Sequence, residues 1–198
     1  MGGEHERAAY PARSRSRFGY DRSQAEAETE APMVGVLEMT GVRILDPRVV
    51  HDNEAIEWQG ALIHHSATSP TTTAKSITDY HVKERGWLDV GYHGLIEMTL
   101  AGGFRFVAGR SLSIPGSHCP GKNKTHLGLC LIGNFMHATP PIAQLEVAAE
   151  VLAEWCVAFG FWPGEIYPHR AFKSTLCPGD KLDILGLRGR VAKLLTHG

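Results

Sequence analysis

A short apolar run, Gly60–Ile63, leads directly into two adjacent histidines, His64 and His65. An apolar run this short, bounded by polar residues, is consistent with a buried β-strand. Successive side chains of a strand point to opposite faces of the sheet, so only one of the two histidines can enter a given site. The pattern therefore predicts a strand whose C-terminal end delivers one imidazole to a functional site.

A second segment with reactive side chains lies far downstream, where His169 and Cys177 flank a loop that continues into Pro178. With His64 they offer two imidazoles and a thiolate, a three-ligand set for a divalent metal, most naturally zinc; catalytic zinc sites leave the fourth position to water. Their spacing is not that of a zinc finger. Spacing alone also allows a second interpretation, with satisfied core histidines and an inert buried cysteine.

The rest of the chain alternates loosely between strand and helix patterns. Strands are predicted over residues 92–98, 104–107 and 127–132, with Gly102-Gly103 as a hairpin turn between the first two. Helices are predicted from the Thr71–Thr73 caps to Gly86, from Pro140-Pro141 to Gly160, and over residues 182–195. A hairpin within this alternation predicts an α/β (α+β) fold with a mixed rather than all-parallel sheet.

Composition excludes several classes of protein. A chain of 198 residues with 43% hydrophobic and 21% charged residues suits one globular domain. The net charge of -1 gives no basic surface for nucleic acid. No apolar run approaches the roughly 20 residues that span a bilayer. The N-terminus has no apolar core of a secretory signal, so we expect a protein that is cytoplasmic when made.

The first residues differ from the remainder. Residues 1–32 lack apolar periodicity and are predicted to be a disordered tail. A cell-wall or nucleic-acid anchor is the alternative, but nearby glutamates cancel the basic run Arg13–Arg17. Residues 33–198 are predicted to be a single domain that begins with an arm over residues 33–58.

Several motifs occur in a characteristic order. They are His64-His65-Ser66-Ala67-Thr68, Asp89-Val90-Gly91-Tyr92-His93, Gly128-Leu129-Cys130-Leu131-Ile132-Gly133-Asn134-Phe135, and His169-Arg170 followed by Cys177-Pro178-Gly179-Asp180. This order resembles the zinc-dependent N-acetylmuramoyl-L-alanine amidases of the type-2 amidase and peptidoglycan-recognition-protein family, which includes phage lysozymes of the amidase type. The resemblance covers about Gly60 to Leu185.

The resemblance implies a central mixed β-sheet flanked by helices, with zinc at the floor of a surface groove. His64, His169 and Cys177 match the family's zinc ligands, and Tyr92 matches its catalytic tyrosine. Thr175 occupies a position that is lysine in some phage members and threonine in others. A lysine-dependent version of the mechanism is therefore not expected here, and Thr175 is assigned a lesser, neutral hydrogen-bonding part.

Three further residues are candidates for substrate binding. His118 matches a loop histidine that family members place beside the groove. Arg110 aligns roughly with an arginine used near the peptide stem, although Ser111-Leu112 replaces the Gly-Trp that follows it there. Asn134 either shapes the groove or forms a turn.

The remaining histidines and cysteines receive structural interpretations. His65 is predicted to be packed or behind the ligands, and His93 to lie in the core or at the surface. Cys119, in a second Cys-Pro-Gly tripeptide, is interpreted as a loop thiol. Cys130 and Cys156 fall in apolar patterns and are predicted to be plain core residues.

The resemblance implies a zinc hydrolase whose substrate is peptidoglycan or a muropeptide, and we expect it to be a monomer. The reaction is cleavage of the amide bond between N-acetylmuramic acid and L-alanine, with Tyr92 hydrogen-bonding the oxyanion or orienting the water. We expect a phage or prophage endolysin, or a wall-recycling enzyme, that acts on the wall after release. The alternative is a recognition module that binds without cutting; such relatives usually lack the cysteine, so Cys177 favours catalysis. A polymerase regulator has precedent in the family but no signal here.

Overall fold

The computed structural model describes residues 56–197. The predicted tail over residues 1–32 and nearly all of the predicted arm over residues 33–58 lie outside this part of the chain. The strands, in chain order, are β1 (Gly60–His65), β2 (Gly94–Met98), β3 (Phe104–Ala108), β4 (His126–Leu131) and β5 (Ile166–Pro168). The helices are α1 (Ala74–Asp79), which continues as a π-helical turn (Tyr80–Glu84), α2 (Ile142–Phe159) and α3 (Ile184–His197), with 3-10 turns at Pro163–Glu165 and His169–Ala171.

The strands form one sheet in the order β3-β2-β4-β1-β5. The β2–β3 pair is the predicted hairpin and is antiparallel, whereas β4 runs parallel to both β1 and β2. At the far edge, β5 pairs parallel with β1. The predicted mixed sheet flanked by helices is therefore confirmed.

Alternation along the strands separates a helix-covered face from a face that carries the site. Ala61 and Ile63 of β1, with Leu127, Leu129 and Leu131 of β4, join the main core together with buried residues of α2 and α3. Burying each such leucine or isoleucine contributes about 2 kcal/mol. The alternate residues, including His64, face the other way.

Helix α1 covers only part of that second face. Its N-cap is Thr73, whose hydroxyl oxygen accepts a hydrogen bond from the Ser76 N–H at 3.1 Å. The Ala74 N–H donates to the Glu97 carboxylate of β2 at 2.6 Å, which fastens the start of the helix to the sheet. Ala74 and Ile77 pack in a smaller core with residues of β2, β3 and β4. Beyond this helix the sheet face opens into a groove.

The structure differs from the predicted elements at β2 and β5, and α3 spans Ile184–His197 rather than residues 182–195. The strand predicted to begin at Tyr92 begins at Gly94, so Tyr92 lies in the preceding loop. The three-residue β5 was not predicted, because it is too short to show periodicity and contains Pro168. Proline is tolerated there because β5 is an edge strand. Within the described part of the chain, no helix combines the length and apolarity needed to cross a bilayer.

Candidate metal centre

The three predicted ligands meet at the end of strands β1 and β5. His64 lies near the end of β1, His169 begins the 3-10 turn that follows β5, and Cys177 lies in the next loop. Because β1 and β5 are parallel, their carboxyl ends reach the same edge of the sheet. One ligand atom from each of the three residues lies within 4.8 Å of the other two. The Cys177 Sγ is 3.7 Å from the His64 Nδ1.

The chemistry of this cluster fits a zinc ion. Two imidazole nitrogens and one sulfur are a donor set that zinc accepts readily, with one position left for water. Among the described residues, the Nε2 of His169 is a buried nitrogen with no hydrogen-bond partner. Buried polar atoms normally have a partner, so this nitrogen requires an explanation. The residues present therefore fit the metal that the sequence predicts.

Burial sets the protonation states of the ligands. It lowers the pKa of His64 well below its usual value, and the neighbouring rings of His118 and His169 lower it further. Burial also lowers the pKa of His169. The same effect raises the pKa of the Cys177 thiol to about 11, against the opposing influence of the His65 N–H and Arg170. Both imidazoles are therefore neutral at pH 7, whereas the thiol must lose its proton when a cation binds.

The adjacent histidines separate as predicted for a strand. The His64 Nε2 is 3.0 Å from the His118 Nδ1. The side chain of His65 points elsewhere, and its Nδ1 accepts a hydrogen bond from the Phe135 N–H at 3.1 Å. The backbone N–H of His65 donates to the Cys177 Sγ at 3.4 Å. Such a bond favours the charged form of the sulfur.

Tyr92 lies directly beside the ligands. Its ring centroid is 5.0 Å from that of His64. Burial raises the pKa of Tyr92 well above its usual value, and the thiols of Cys130 and Cys177 raise it further. The phenol is therefore protonated at neutral pH and can donate a hydrogen bond. Cys130, predicted to be a plain core residue, is fully buried, and its thiol is one of the groups that raise the pKa of Tyr92.

An open cavity of about 410 Å³ lies above the ligands. This volume lies within the range of small-molecule sites, about 300–1,000 Å³. Its lining comprises His64, His65, Ala67, Tyr92, His118, Asn134, Met136, His169, Thr175, Leu176 and Cys177. Sequence reasoning missed Ala67, Met136 and Leu176, and it expected only one histidine of the pair at the site, whereas His65 also lines the cavity. Leu176 could have been suspected from its position beside Cys177, and its side chain is 66% exposed.

Thr175 and Asn134 both line this cavity and both also support the backbone. The Thr175 Oγ1 accepts a hydrogen bond from the Cys177 N–H at 3.3 Å. The Asn134 Oδ1 accepts one from the Met136 N–H at 3.1 Å, which is the turn interaction proposed as its alternative role. Their catalytic and substrate-binding roles stay predictions.

Arg110 is the predicted site residue that does not line the cavity. Its guanidinium donates to the carbonyl oxygens of Asp89, Val90 and Pro115 and to the Ser117 hydroxyl, at 2.8–3.3 Å. These bonds join the loop that precedes Tyr92 to the loop that carries His118. Arg110 thus connects these two loops through its hydrogen bonds. Its predicted contact with substrate stays a prediction.

The fold and the site together define an α/β protein with a candidate His-His-Cys metal centre open to a groove. A family model described as N-acetylmuramoyl-L-alanine amidase matches residues 54–180. The chain belongs to this amidase family, as the order of its motifs predicts.

Individual relatives come from animals and from phages. The chain is 36% identical over 131 residues to peptidoglycan recognition protein 1 of Bos indicus, a match covering 61% of this chain and 66% of the relative. It is 41% identical over 75 residues to the endolysin of Escherichia phage T7, covering 37% of this chain and 46% of that one. The chain therefore spans less than two thirds of the length of these curated relatives.

Solved structures confirm the fold. The amidase LysC of Clostridium intestinale URNW superposes with a TM-score of 0.61 at 22% identity, covering 69% of this chain and 87% of that one. A point mutant of Drosophila PGRP-LB, in complex with tracheal cytotoxin, gives 0.54 at 30% identity, covering 64% of this chain and 80% of that one. This chain is thus similar both to recognition proteins and to amidases. The choice between these two functions depends on the residues of the site.

Proposed function

We propose that this protein is a zinc-dependent N-acetylmuramoyl-L-alanine amidase that cleaves the amide bond between N-acetylmuramic acid and L-alanine in peptidoglycan. The convergence of His64, His169 and Cys177 at the floor of an open cavity, with Tyr92 beside them, carries the proposal. Membership in the amidase family supports peptidoglycan as the class of substrate. Two of the relatives are phage endolysins, and in this proposal the enzyme is made in the cytoplasm and acts on the wall after release.

The three ligands would hold the ion with one coordination position facing the cavity. An ion held there would lower the pKa of a bound water towards about 7 and would polarise a carbonyl oxygen. His64 and His169 are already neutral and need lose no proton to bind. The His65 N–H stabilises the Cys177 sulfur as a thiolate.

Tyr92 supplies the donor that amide cleavage needs beside the ligands. Its O–H is protonated at neutral pH because burial raises the pKa of Tyr92. In this proposal the O–H donates to the carbonyl oxygen of the substrate as negative charge develops there. A donor held in place before the reaction contributes about 3 kcal/mol to such a step. Thr175 can offer only a neutral hydrogen bond, because its side chain carries no charge.

The competing function is recognition of muropeptide without cleavage, which the names of several relatives suggest. The placement of the Cys177 Sγ 3.7 Å from the His64 Nδ1 favours catalysis, because recognition alone requires no third ligand in that geometry. The two functions differ in one measurable product. An amidase creates free L-alanine amino groups, and a recognition module does not.

The test is to incubate purified peptidoglycan with the protein and measure both turbidity and new L-alanine amino termini. The wild type is compared with Tyr92→Phe, and zinc is measured in each protein. Tyr92→Phe is expected to keep its zinc and to lose about 100-fold or more in rate, because it lacks only the donor O–H. Wild-type protein that binds muropeptide and zinc but releases no new amino termini would show recognition rather than cleavage.

A further inference from the structure

The side chain of His118 lines the cavity next to His64 and is not itself a predicted ligand. His118 is 8% exposed, and the Asn123 Oδ1 holds its backbone N–H at 2.9 Å. Both ring nitrogens form hydrogen bonds within the protein. The His118 Nδ1 is 3.0 Å from the His64 Nε2, and the His118 Nε2 is 3.2 Å from the His126 carbonyl oxygen. Both nitrogens are therefore occupied by the protein.

The His126 carbonyl determines where the protons lie in this chain of bonds. A carbonyl oxygen only accepts hydrogen bonds, so the His118 Nε2 carries the hydrogen. A buried ring is favoured in its neutral form, which leaves the His118 Nδ1 with a lone pair. The His64 Nε2 must then be the donor to His118, and the His64 Nδ1 keeps the free lone pair. This Nδ1 is the atom that lies 3.7 Å from the Cys177 Sγ.

We propose that His118 is a positioning residue, which holds His64 in the tautomer and ring orientation that present Nδ1 to the metal. The inference rests on the zinc centre proposed above and adds a residue to it. Metal-binding histidines commonly use their second nitrogen in this way, and losing the partner typically costs about 10–100-fold in metal affinity. The proposal differs from the predicted substrate contact, because that contact would require one of the two ring bonds to break.

The packing around the ring supports this role. A Cβ atom added to Gly128 would lie 2.6 Å from the His118 Cδ2, and one added to Gly116 would lie 2.4 Å from the same atom. Glycine at these two positions therefore makes room for the imidazole and leaves it little freedom to turn. The long loop over residues 110–125 thus has a definite function in the proposal, which is to fix His118 against β4 and His64.

A matched pair of substitutions tests the inference. In His118→Asn, the side-chain amide lies near the position of the imidazole Nδ1, and its oxygen can still accept a hydrogen bond from the His64 Nε2. In His118→Gln, the side-chain amide lies nearer the position of the imidazole Nε2, and its N–H can replace the donor to the His126 carbonyl oxygen. Zinc affinity is measured by competition with a chromophoric chelator. His118→Asn is expected to stay within about fivefold of wild type, and His118→Gln and His118→Ala to bind about 10–100-fold more weakly.

His93→Ala is the control for general packing. His93 is 2% exposed, and its ring also bonds on both sides, to the Gly128 N–H and the Ile114 carbonyl, but it bonds to none of the three ligands. This variant is expected to lose thermal stability and to keep its zinc affinity within about threefold of wild type. Cobalt(II) loading gives a second readout, in which the visible spectrum should change for His118→Ala and not for His118→Asn.

The possible outcomes separate this inference from the proposed function. If the wild type binds zinc and His118→Ala binds it equally well, the positioning role is wrong and the amidase proposal stands. Equal losses in His118→Ala and His93→Ala, or in the Asn and Gln variants, would also overturn it. Unchanged zinc affinity with a raised KM for muropeptide would return His118 to substrate binding. A wild type that binds no zinc would overturn both proposals.

Discussion

The tripeptide Cys-Pro-Gly occurs twice in this chain, at Cys119–Gly121 and at Cys177–Gly179, and the two copies have different structures. In the first copy, the Lys122 N–H donates to the Cys119 carbonyl at 3.0 Å, so the turn centres on the proline and the glycine. In the second, the Gly179 N–H donates to the Leu176 carbonyl at 2.7 Å, so the turn begins one residue earlier. The Cys177–Pro178 peptide bond is cis.

The sulfur atoms have correspondingly different surroundings. Cys119 is fully buried, and its backbone N–H is held by the Asn123 Oδ1 at 2.8 Å. The second copy is held instead by Arg170, whose backbone N–H donates to the Cys177 carbonyl and whose guanidinium donates to the Gly179 carbonyl. Identical local sequence thus gives one enclosed thiol and one that lines the groove, and contacts with other parts of the chain make the difference.

Exchanging each sulfur for oxygen gives the largest expected contrast. Cys177→Ser should lose bound zinc and about 1,000-fold or more of any amidase rate, because the hydroxyl does not ionise to replace the thiolate ligand. Cys119→Ser is the matched control and should keep one zinc per chain, while the new buried hydroxyl costs about 1–3 kcal/mol of stability. Zinc content by elemental analysis and unfolding in urea measure both. Equal zinc in the two variants would contradict the ligand assignment.

Acidification should destabilise the region beneath the loop that carries the first copy, because the buried ring of His93 lies there and bonds to the Ile114 carbonyl. Burial lowers the pKa of His93 from 6.5 to about 4. The unfolded chain therefore binds the proton more readily, and the stability contributed by neutral His93 is present above pH 6.5 and is lost as pH falls through the window to about 4. The loss between pH 7 and pH 5 should be about 2 kcal/mol for this residue.

The measurement is the free energy of unfolding in urea at pH 7 and pH 5, with chelator present. The control is His93→Phe, which has no ionisable ring at this position. A wild type whose stability falls no more than that of His93→Phe between the two pH values would show that His93 is not buried in the neutral form.

Removing the anchor of the second copy should have an intermediate effect. Arg170→Ala loses the guanidinium bond to the Gly179 carbonyl and an exposed ion pair with Asp180. Because Cys177 then has one constraint fewer, zinc affinity should fall about tenfold, in the range seen for residues that orient metal ligands. Arg170→Lys keeps the charge but not the planar donor group and should give a smaller loss. Unchanged zinc affinity in Arg170→Ala would show that the backbone bonds alone hold the loop.

Thr175 should give the smallest effect. Thr175→Val keeps the shape of the side chain and removes the hydroxyl that accepts from the Cys177 N–H. A neutral hydrogen bond contributes about 1 kcal/mol, so the amidase rate should fall less than about tenfold with zinc content unchanged. A loss as large as that of Tyr92→Phe would instead make Thr175 a principal catalytic group.

The local sequence pattern was sufficient to predict those strands and helices whose own residues carry the periodicity and the turn signals. Strand β1, the β2–β3 hairpin and helix α2 follow from apolar periodicity and turn glycines, and the structure confirms them. The motif order was sufficient to single out His64, His169 and Cys177, which the structure brings together as a candidate ligand set.

Other features depend on tertiary contacts that no local pattern encodes. Strand β5 exists because β1 offers it a partner. The bond between His64 and His118 joins residues that meet only after β4 and the long loop have packed. Likewise, Arg110 bonds to loop carbonyls that are close together only in the folded chain, and the burial of Cys119 cannot be inferred from a loop rich in glycine, serine and lysine.

The brevity of β5 has a consequence for self-association. This edge strand comprises three residues and ends in Pro168, which has no N–H to donate. An incoming strand from a second molecule would find little backbone to pair with on this side, next to the ligands. The longer strand β3 forms the opposite margin of the described sheet, three strands away from β1, which carries His64.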